Sequence, residues 1–457
     1  MTITVRLSIN VEVEKGEGKK IEAEVRPEHF EEDIRQLRQT FTELTGREVL
    51  AGYEAQLKQG EYRKCPSIRT EERTYQFQAF SLCYRRRSYR MPDGRECTPL
   101  DGLLGFEKYQ RRSWKANEQI SAIASSLSYR KTSQINTYIS KGTVSASTVC
   151  RSMRLVGKRI EEQEAQFEAN EPGKIKASIL FGEADGIWIP LQKADKRSIE
   201  ARMAIAYTDK QYISKDRRRL VNKICLTGIG ITSEEWQVMI REKLYAHYDL
   251  EAAKAMIIGG DGSAWVSHSF DLVGIKQTQR VLDLFHVKQS IHRAFGGVLD
   301  TKQVIEQLYK HGFEAVEKTL LLAIVGGTPA SVEAQLECLQ YLRNHKDEIV
   351  PALSLGAIES NVGKHIAQRM KTRGVSWSLA GAKAMLAILG HQNKLFEHSF
   401  AYQKAKSDQP KKSKRRKHVD AGSVHSASFP VLKTGKISAP YAPLFKAIIN
   451  ENLSLSS

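Results

Sequence analysis

Several features that would assign this chain to a particular class are scarce or missing. It has only 6 cysteines in 457 residues, too few for a disulfide scaffold and typical of reduced intracellular thiols. Its longest aliphatic run, Leu320 to Val325, is far shorter than the stretch of about 20 apolar residues that spans a membrane. The N-terminal residues do not place a basic segment before an apolar one, so we expect no secretory signal and a cytoplasmic protein.

Two common motifs are also missing. The sequence contains no Gly-x-x-x-x-Gly-Lys-Ser/Thr pattern, so a P-loop nucleotide-binding protein is not supported. It contains no Cys-x-x-Cys pair, and Cys65, Cys83 and Cys97 stand singly. Structural zinc needs four ligands, so we do not expect zinc.

Positive charge is abundant. Lys and Arg number 70 against 52 Asp and Glu, which gives a formal net charge of +18 and a sequence pI near 9.5. A surplus of this size indicates a polyanionic partner, with nucleic acid first and an anionic membrane surface second. The membrane alternative is weaker because the basic residues are scattered and do not lie on one amphipathic helix.

Periodicity divides the chain into four regions. Residues 1–115 are predicted to form an α+β region, with a β-hairpin over 1–25 and a helix over 27–60. Residues 116–172 show a helix, a Gly-containing break and a long helix beginning near Ser145, a pattern typical of a helix-turn-helix. Any pair of antiparallel helices gives the same pattern, so DNA contact here remains one of two readings.

Residues 173–400 are predicted to form an α/β domain, and 401–457 a basic, flexible tail in which six of the residues 411–417 are Lys or Arg. Within the domain we expect strands at 177–183, 187–192, 202–207, 220–229, 255–258 and 280–284. Helices are expected at 233–245, with Ser233 as N-cap, over most of 301–350, and from 356 to about 372.

Three carboxylates occupy positions suited to chemistry. Asp185 and Asp261 each follow an apolar run and precede a glycine, and Glu359 lies in the first turn of a predicted helix. Carboxylates gathered at strand ends can hold two Mg²⁺ or Mn²⁺ ions, which stabilise the attacking and leaving oxygens of a phosphodiester. The plainer reading is that Asp-Gly forms turns and that Glu complements a helix dipole.

Several blocks of the sequence resemble one family. The blocks Glu183-Ala-Asp-Gly-Ile-Trp188, Gly260-Asp-Gly-Ser-Ala-Trp265, Leu282-Asp-Leu-Phe-His286, Gly356-Ala-Ile-Glu-Ser-Asn361 and Arg369-Met-Lys-Thr-Arg-Gly-Val-Ser-Trp377 are similar to signature blocks of ISLre-type insertion-sequence transposases. A further family-like block is Pro99-Leu-Asp-Gly-Leu-Leu-Gly105. These bacterial proteins are related to the Mutator-like DDE transposases. The resemblance covers roughly residues 95–395.

The resemblance implies a fold and a set of site residues. It implies an RNase H-like core with an all-helical insertion at about 290–352, and Asp185, Asp261 and Glu359 as catalytic, metal-binding acids. Asp283 and His286 resemble an auxiliary Cys/Asp-x-x-His pair, although a capping Asp beside a packed His is an equal alternative. Residues expected to contact DNA are Arg151, Arg154, Lys364, Arg369, Lys371, Arg373, Lys411, Lys412, Lys414, Arg415, Arg416 and Lys417.

The function implied is a DNA transposase that cuts element ends and joins them to target DNA by metal-dependent phosphoryl transfer. Its partners are then double-stranded DNA and further copies of itself, as a homodimer or larger assembly, in association with the bacterial nucleoid. No small-molecule substrate is expected. Two alternatives stay open: another RNase H-like nuclease, and a domesticated DNA-binding protein without catalysis.

Overall fold

A computed structural model describes residues 3–9, 19–106, 109–140, 143–165, 167, 171–192, 195–214, 217–326, 329–350, 353, 355–371 and 374–391. Over these ranges the chain forms two compact units. The first holds the residues up to 165 together with 192 and 377–391, and the second holds 167–191 and 195–376. None of the described helices is long and apolar enough to cross a membrane.

The first unit begins as predicted, with an antiparallel hairpin and a long helix. Strands β1 (Ile3–Ile9) and β2 (Lys19–Val25) pair in antiparallel fashion, and helix α1 (Phe30–Gln59) follows a short turn that Pro27 begins. Next comes a three-stranded antiparallel sheet of β3 (Ser67–Gln76), β4 (Ser81–Arg90) and β5 (Glu96–Cys97), followed by α2 (Pro99–Leu103). Leu50, Tyr75, Leu82, Tyr84 and Leu100 form its core.

The Pro-Leu-Asp block has a structural role in this sheet. Asp101 on α2 is buried, and its Oδ2 accepts a hydrogen bond from Arg73 Nη1 at 2.8 Å and another from Arg86 Nη1. A buried carboxylate is stable only when it is paired and hydrogen-bonded, and these two strand arginines supply both. Asp101 therefore fastens α2 to strands β3 and β4.

Three helices complete the predicted helix-turn-helix segment: α3 (Trp114–Ser126), α4 (Tyr129–Ser140) and α5 (Ala146–Ala165). Ser145 caps α5, because its Oγ accepts the Thr148 N–H at 3.2 Å. Val149, Met153, Val156 and Ile160 of α5 are buried at helical spacing, while Arg151 and Arg154 are exposed. The predicted start of this helix is confirmed.

The last described helix, Leu379–Gly390, packs along α5 within the first unit. A Cβ added at Gly157 of α5 would lie 2.4 Å from Ala384 Cα, so the two backbones approach each other too closely for any other residue. This contact corrects the predicted boundary at residue 400, because residues 377–391 fold with the N-terminal unit. The sequence pattern predicted neither this helix nor the surface that it covers.

The second unit contains a five-stranded mixed sheet. Its strands are β6 (Ile179–Pro190), β7 (Ser198–Tyr207), β10 (Ile224–Ile229), β11 (Ala255–Gly260) and β12 (Gln277–Leu282). They are ordered β10-β7-β6-β11-β12; β10, β7 and β6 are antiparallel neighbours, and β6, β11 and β12 are parallel neighbours. Between β7 and β10 the chain forms a separate two-stranded hairpin, β8 (Asp209–Ser214) and β9 (Arg217–Val221).

Two strand predictions are wrong. Strands 177–183 and 187–192 are one continuous strand, so Asp185 lies inside β6 and not at a strand end. The reason is β7, which pairs with β6 from Phe181 through Pro190 and carries the ladder across Asp185-Gly186. The expected strand 220–229 divides between β9 and β10 at Asn222, whose φ of 49° interrupts the extended chain.

Helices surround this sheet. Helix α6 (Ser233–His247) is capped by Thr232, one residue before the predicted Ser233, in a capping box with Glu235. After α7 (Ala264–Ser267) come α8 (Leu284–Phe295), α9 (Thr301–His311), α10 (Glu314–Val325) and α11 (Pro329–Asn344). Helices α8 to α11 share a core of their own, which is consistent with the predicted helical insertion.

The segment that carries Glu359 follows the insertion. It comprises α12 (Ile358–Asn361), a π-helical stretch (Val362–Ala367) and α13 (Gln368–Met370). The predicted helix over 356–372 is thus confirmed in extent, while its irregular centre is not visible in the sequence pattern. π-Helical turns are rare in proteins, and many of those that occur lie at functional sites.

We predict that Gly157→Ala lowers the free energy of unfolding by about 1–3 kcal/mol, because the new methyl group separates α5 from the Leu379–Gly390 helix. Urea titration followed by circular dichroism measures the change. Gly297→Ala is the control, since a Cβ at Gly297 meets nothing within 4 Å. Equal stabilities for the two variants would contradict the close helix approach.

Candidate functional site

Two of the predicted acids lie where neighbouring parallel strands cease to pair. The β6–β11 register ends with Gly259 level with Glu183; Asp185 lies two residues further along β6, and Asp261 directly follows the last residue of β11. Neighbouring strands are about 4.8 Å apart, which brings these two backbones together at one edge of the sheet. Asp261 is held by the Ser263 N–H, 2.8 Å from its Oδ1, and Tyr341 donates to its carbonyl at 2.9 Å.

Glu183 anchors the helix that carries the third acid. This side chain is only 1% exposed, and its Oε2 accepts the backbone N–H groups of Ala357 at 2.7 Å and Ile358 at 3.0 Å. These are N–H groups at the start of α12 that no helical carbonyl can satisfy. The carboxylate of β6 therefore caps α12 and fixes Glu359 beside the sheet.

Two side chains hold Glu183 in turn. Tyr207 donates its hydroxyl to Glu183 Oε1 at 2.6 Å, and Lys210 Nζ lies 3.9 Å from the same oxygen. Lys210 also donates to the Leu355 carbonyl, just before α12. Burial is the main influence on Glu183 and raises the pKa of its carboxyl, against the opposing effects of Lys210 and Tyr207. The result is a buried network that joins β6, β7, β8 and α12.

Glu359 lies with Asp283 and His286. Ligand atoms of these three residues lie within 4.8 Å of one another, which makes them a group that could hold a metal ion. Asp283 is also the N-cap of α8: its Oδ2 accepts the Phe285 and His286 N–H groups and lies 3.1 Å from His286 Nδ1. The two readings of Asp283 and His286, capping pair and site pair, are therefore compatible.

The Glu359 and Asp283 carboxyl groups shift each other's pKa in opposite directions. Burial, the hydrogen bond to Asp283 and the charge of Asp283 raise the pKa of Glu359 to about 9. For Asp283, burial acts to raise the pKa, but the hydrogen bonds from His286 and Glu359 outweigh it, and the pKa is lowered. The pKa of the Glu359 carboxyl is thus raised and that of the Asp283 carboxyl lowered.

Burial and the neighbouring carboxylates also shift the pKa values of Asp185 and His286. Burial raises the pKa of Asp185 to about 6, and the charges of Asp261 and Asp283 act in the same direction. The hydrogen bond to Asp283 raises the pKa of His286, against burial and with help from the charges of Asp185 and Asp261. Asp185, Asp261, Asp283 and His286 are therefore electrostatically coupled, and with Glu359 they form what we call the acid cluster.

Two oxygens of the acid cluster suit a divalent cation. Among the described residues, Asp283 Oδ1 and Glu359 Oε1 are buried and have no hydrogen-bond partner. Buried acceptors without partners are costly, and a cation with oxygen ligands would satisfy both. Carboxylates with one imidazole suit Mg²⁺ or Mn²⁺, and the imidazole favours Mn²⁺ of the two. The residues present fit such an ion.

The predicted DNA-contacting residues are in different environments. Arg151, Arg154, Lys364 and Lys371 are exposed. Arg369, which was also predicted to contact DNA, is only 8% exposed, so most of its side chain is buried in the protein. Arg373 and residues 411–417 lie outside the described residues.

Sequence reasoning did not assign roles to Glu183, Tyr207 and Lys210. A signal for Glu183 was present, because it lies two residues before Asp185 in the same block and therefore faces the same side of the strand. No signal pointed to Tyr207 or Lys210, since their partners lie far away in the sequence. Only the folded sheet brings them together.

We predict that stability without metal falls as the pH rises from about 5 to above 9. In the folded chain the pKa values of Asp185 and Glu359 are raised to about 6 and about 9. The folded chain therefore binds these protons more tightly than the unfolded chain does. The resulting stabilisation is complete below the ordinary carboxyl pKa and is lost as the pH rises through about 6 and about 9. Thermal melting in EDTA across this range measures the effect. A flat profile would contradict the coupling.

The same melts with Mg²⁺ test the cation site. At about ten times its Kd, bound Mg²⁺ stabilises by about 1.4 kcal/mol, and Glu359→Gln should abolish most of this gain. Glu306→Gln is the control, because Glu306 is an exposed carboxylate paired with Lys310. Equal stabilisation of both variants would remove Glu359 from the metal site.

Comparison with known proteins identifies a family. The model of an uncharacterised protein family, UPF0236, matches residues 28–397. A UPF0236 protein in the vanSb 3′ region of Streptococcus gallolyticus is 25% identical over 344 residues, which are 72% of this chain and 74% of that protein. The solved Drosophila P element transposase strand transfer complex is similar at 8% identity with a TM-score of 0.21, over 66% of this chain and 84% of that chain. The structural likeness is too low to bear on the fold. The family match extends over most of both units, and the chain belongs to UPF0236.

Proposed function

We propose that this protein is a DNA transposase of the DDE type, with Asp185, Asp261 and Glu359 as its catalytic acids. The observation that carries the proposal is the acid cluster, in which Glu359 lies within metal-sharing distance of Asp283 and His286, while the charges of Asp185 and Asp261 act on His286. The resemblance of the sequence blocks to insertion-sequence transposases supports the same assignment. All three acids are present.

We infer an RNase H-like core for the second unit. Three antiparallel strands continue into two parallel ones in the order β10-β7-β6-β11-β12, and helices α8 to α11 enter before the Glu359 helix. The resemblance implied an RNase H-like core with a helical insertion before the helix that bears the glutamate. The strand order supports it.

The reaction proposed is phosphoryl transfer in two steps. Divalent cations, when bound, neutralise charge on the attacking and leaving oxygens of the scissile phosphate. The cations would be held by the carboxylate oxygens and the imidazole nitrogen of the acid cluster, which comprises Asp185, Asp261, Asp283, His286 and Glu359. Water attacks first and leaves a 3′-hydroxyl, which then attacks target DNA in line at the same acids. Each step breaks one P–O bond and forms another.

No side-chain nucleophile is required by this scheme. Tyr207 is fully buried and donates its hydroxyl to Glu183, so its role is structural. Two element ends must be held together for joining, which implies at least two copies of the chain on DNA. The net charge of +18 provides the attraction to the phosphate backbone.

DNA binding is proposed for the first unit and the tail. Helix α5 exposes Ser147, Arg151 and Arg154 on the side away from its buried residues. Polar and basic side chains in the opening turns of a second helix are the means by which a helix-turn-helix reads a groove. The alternative function, an RNase H-like nuclease that does not join strands, shares the acids but needs no such binder.

We predict that Asp261→Asn reduces Mg²⁺-dependent cleavage more than about a hundredfold, because Asn cannot supply the anionic ligand. The substrate is duplex DNA from the borders of this reading frame, and strand cleavage and joining are followed on denaturing gels. Asp271→Asn is the control, since Asp271 is an exposed carboxylate paired with Arg280 in the same unit. Full activity of Asp261→Asn would end the DDE proposal, and cleavage without joining would favour the nuclease.

We predict that deletion of residues 408–457 weakens binding to all DNA sequences alike. The lysines and arginines at 411–417 release counterions from phosphates whatever the sequence, so the salt dependence should become less steep. Anisotropy titrations of border DNA and random DNA at several salt concentrations measure this. Loss of preference for border DNA with unchanged binding to random DNA would contradict the assignment.

A further inference from the structure

The β8–β9 hairpin exposes two large apolar side chains, a tyrosine and an isoleucine, to solvent. Tyr212 is 58% exposed and Ile213 59%, and their neighbours Gln211 and Ser214 are exposed as well. Successive residues of a strand point to opposite faces, so neither face of this end of β8 is packed. Large apolar side chains on a projecting ribbon add little to folding and are typical of a contact surface.

One face of the hairpin begins beside Glu183, the residue that caps α12. Lys210 and Tyr212 are two residues apart on β8 and so share a face. At the base of that face Lys210 lies 3.9 Å from Glu183 and donates to the Leu355 carbonyl before α12. The charges of Glu359 and Asp283 also act on the Lys210 pKa, although burial lowers it overall. Tyr212 therefore follows Lys210 on the same face, two residues further along β8.

Arg218 adds positive charge to this face. It pairs with Tyr212 across the two strands, and its guanidinium lies 4.6 Å from the centre of the Tyr212 ring. Arg219 pairs with Gln211, so it belongs to the opposite face of the same hairpin. Both arginines are exposed, which makes them a matched pair that differs in face alone.

An irregularity at the tip changes the direction of Ile213. The register passes from Tyr212 paired with Arg218 to Ser214 paired with Arg217, and Ile213 is the extra residue. β-Bulges of this kind redirect a side chain and are common next to active sites. Apolar side chains placed this way act as wedges that separate stacked bases.

We propose that the exposed end of the Tyr212 face, which comprises Tyr212 and Arg218 and has the buried Lys210 at its base, binds the DNA strand next to the scissile phosphate. An unpaired base stacks on the exposed part of the Tyr212 ring, Arg218 meets a backbone phosphate, and Ile213 borders the opened base step. This proposal rests on the proposed function, because it places the hairpin beside the reacting phosphate. DNA is favoured as the occupant because a cation held against an aromatic ring complements a polyanion with stacking faces.

Geometry also explains why a strand opened at the site suits this face. Bases inside a duplex cannot stack on a protein ring, whereas the end of an element that is being cut presents unpaired nucleotides. The Tyr212 face runs along β8 from Lys210, which lies beside Glu183, to the exposed Tyr212. We therefore assign it one DNA strand beyond the phosphate.

The test is binding of a fluorescein-labelled forked duplex, in which two strands part from a common duplex. Anisotropy in EDTA measures affinity without cleavage, and 2-aminopurine at the fork reports unstacking of a base. Tyr212→Ala and Arg218→Gln should each weaken forked-duplex binding about tenfold, and fully paired duplex much less. Tyr212→Phe keeps the ring and should bind like the wild type. Since Tyr212 is exposed, its variants should melt at the wild-type temperature.

Matched controls come from the same unit. Arg219→Gln removes the same charge from the opposite face and should change affinity less than about twofold. Arg241 and Tyr245 are an exposed pair on α6, and Arg241→Gln and Tyr245→Ala should leave binding unchanged. Equal losses in Arg218→Gln and Arg219→Gln would reduce the hairpin to a non-specific basic surface and overturn the proposal.

Other outcomes separate this proposal from the proposed function. Unchanged forked-duplex affinity in Tyr212→Ala overturns the hairpin contact even if Asp261→Asn abolishes cleavage. Full cleavage by Asp261→Asn overturns the DDE function while the binding data stand on their own. A covalent adduct that requires the Tyr212 hydroxyl, or loss of self-association in Tyr212→Ala with DNA binding intact, would assign the residue to another task.

Discussion

The acid cluster depends on one interaction, the capping of α12 by Glu183. A strand residue and a helix that are distant in the sequence are joined by two backbone hydrogen bonds to one buried carboxylate. Without it, the first N–H groups of α12 have no partner and the position of Glu359 relative to β6 is not defined. Tyr207 and Lys210 keep that carboxylate in place, so β7 and β8 contribute to the position of an acid that neither carries.

This arrangement places several carboxyl groups close together in a largely buried space. Raised pKa values at Asp185 and Glu359 mean that the folded chain holds protons it would otherwise release. Within the part of the chain that the structure describes, Asp283 Oδ1 and Glu359 Oε1 are buried without hydrogen-bond partners. Both features cost stability, and a bound cation would offset the cost.

Each unit solves a separate problem of burial. In the first, a glycine on α5 admits the Leu379–Gly390 helix at backbone contact and closes a bundle that the three preceding helices leave incomplete. In the second, the helical insertion has its own core and touches the site through Tyr341, which holds the Asp261 carbonyl. The insertion can thus be long without displacing Asp261.

The sequence by itself predicted most of the element types and the helical insertion, and it suggested Asp185, Asp261 and Glu359 as the acids to propose, because apolar periodicity and short blocks are local properties. It placed Asp185 at a strand end, whereas pairing with β7 carries β6 through that position. It could not assign Glu183 or Lys210, remove Arg369 from the surface, or attach residues 377–391 to the first unit. Each of these depends on partners far away along the chain, and only tertiary packing decides which distant groups share a buried space.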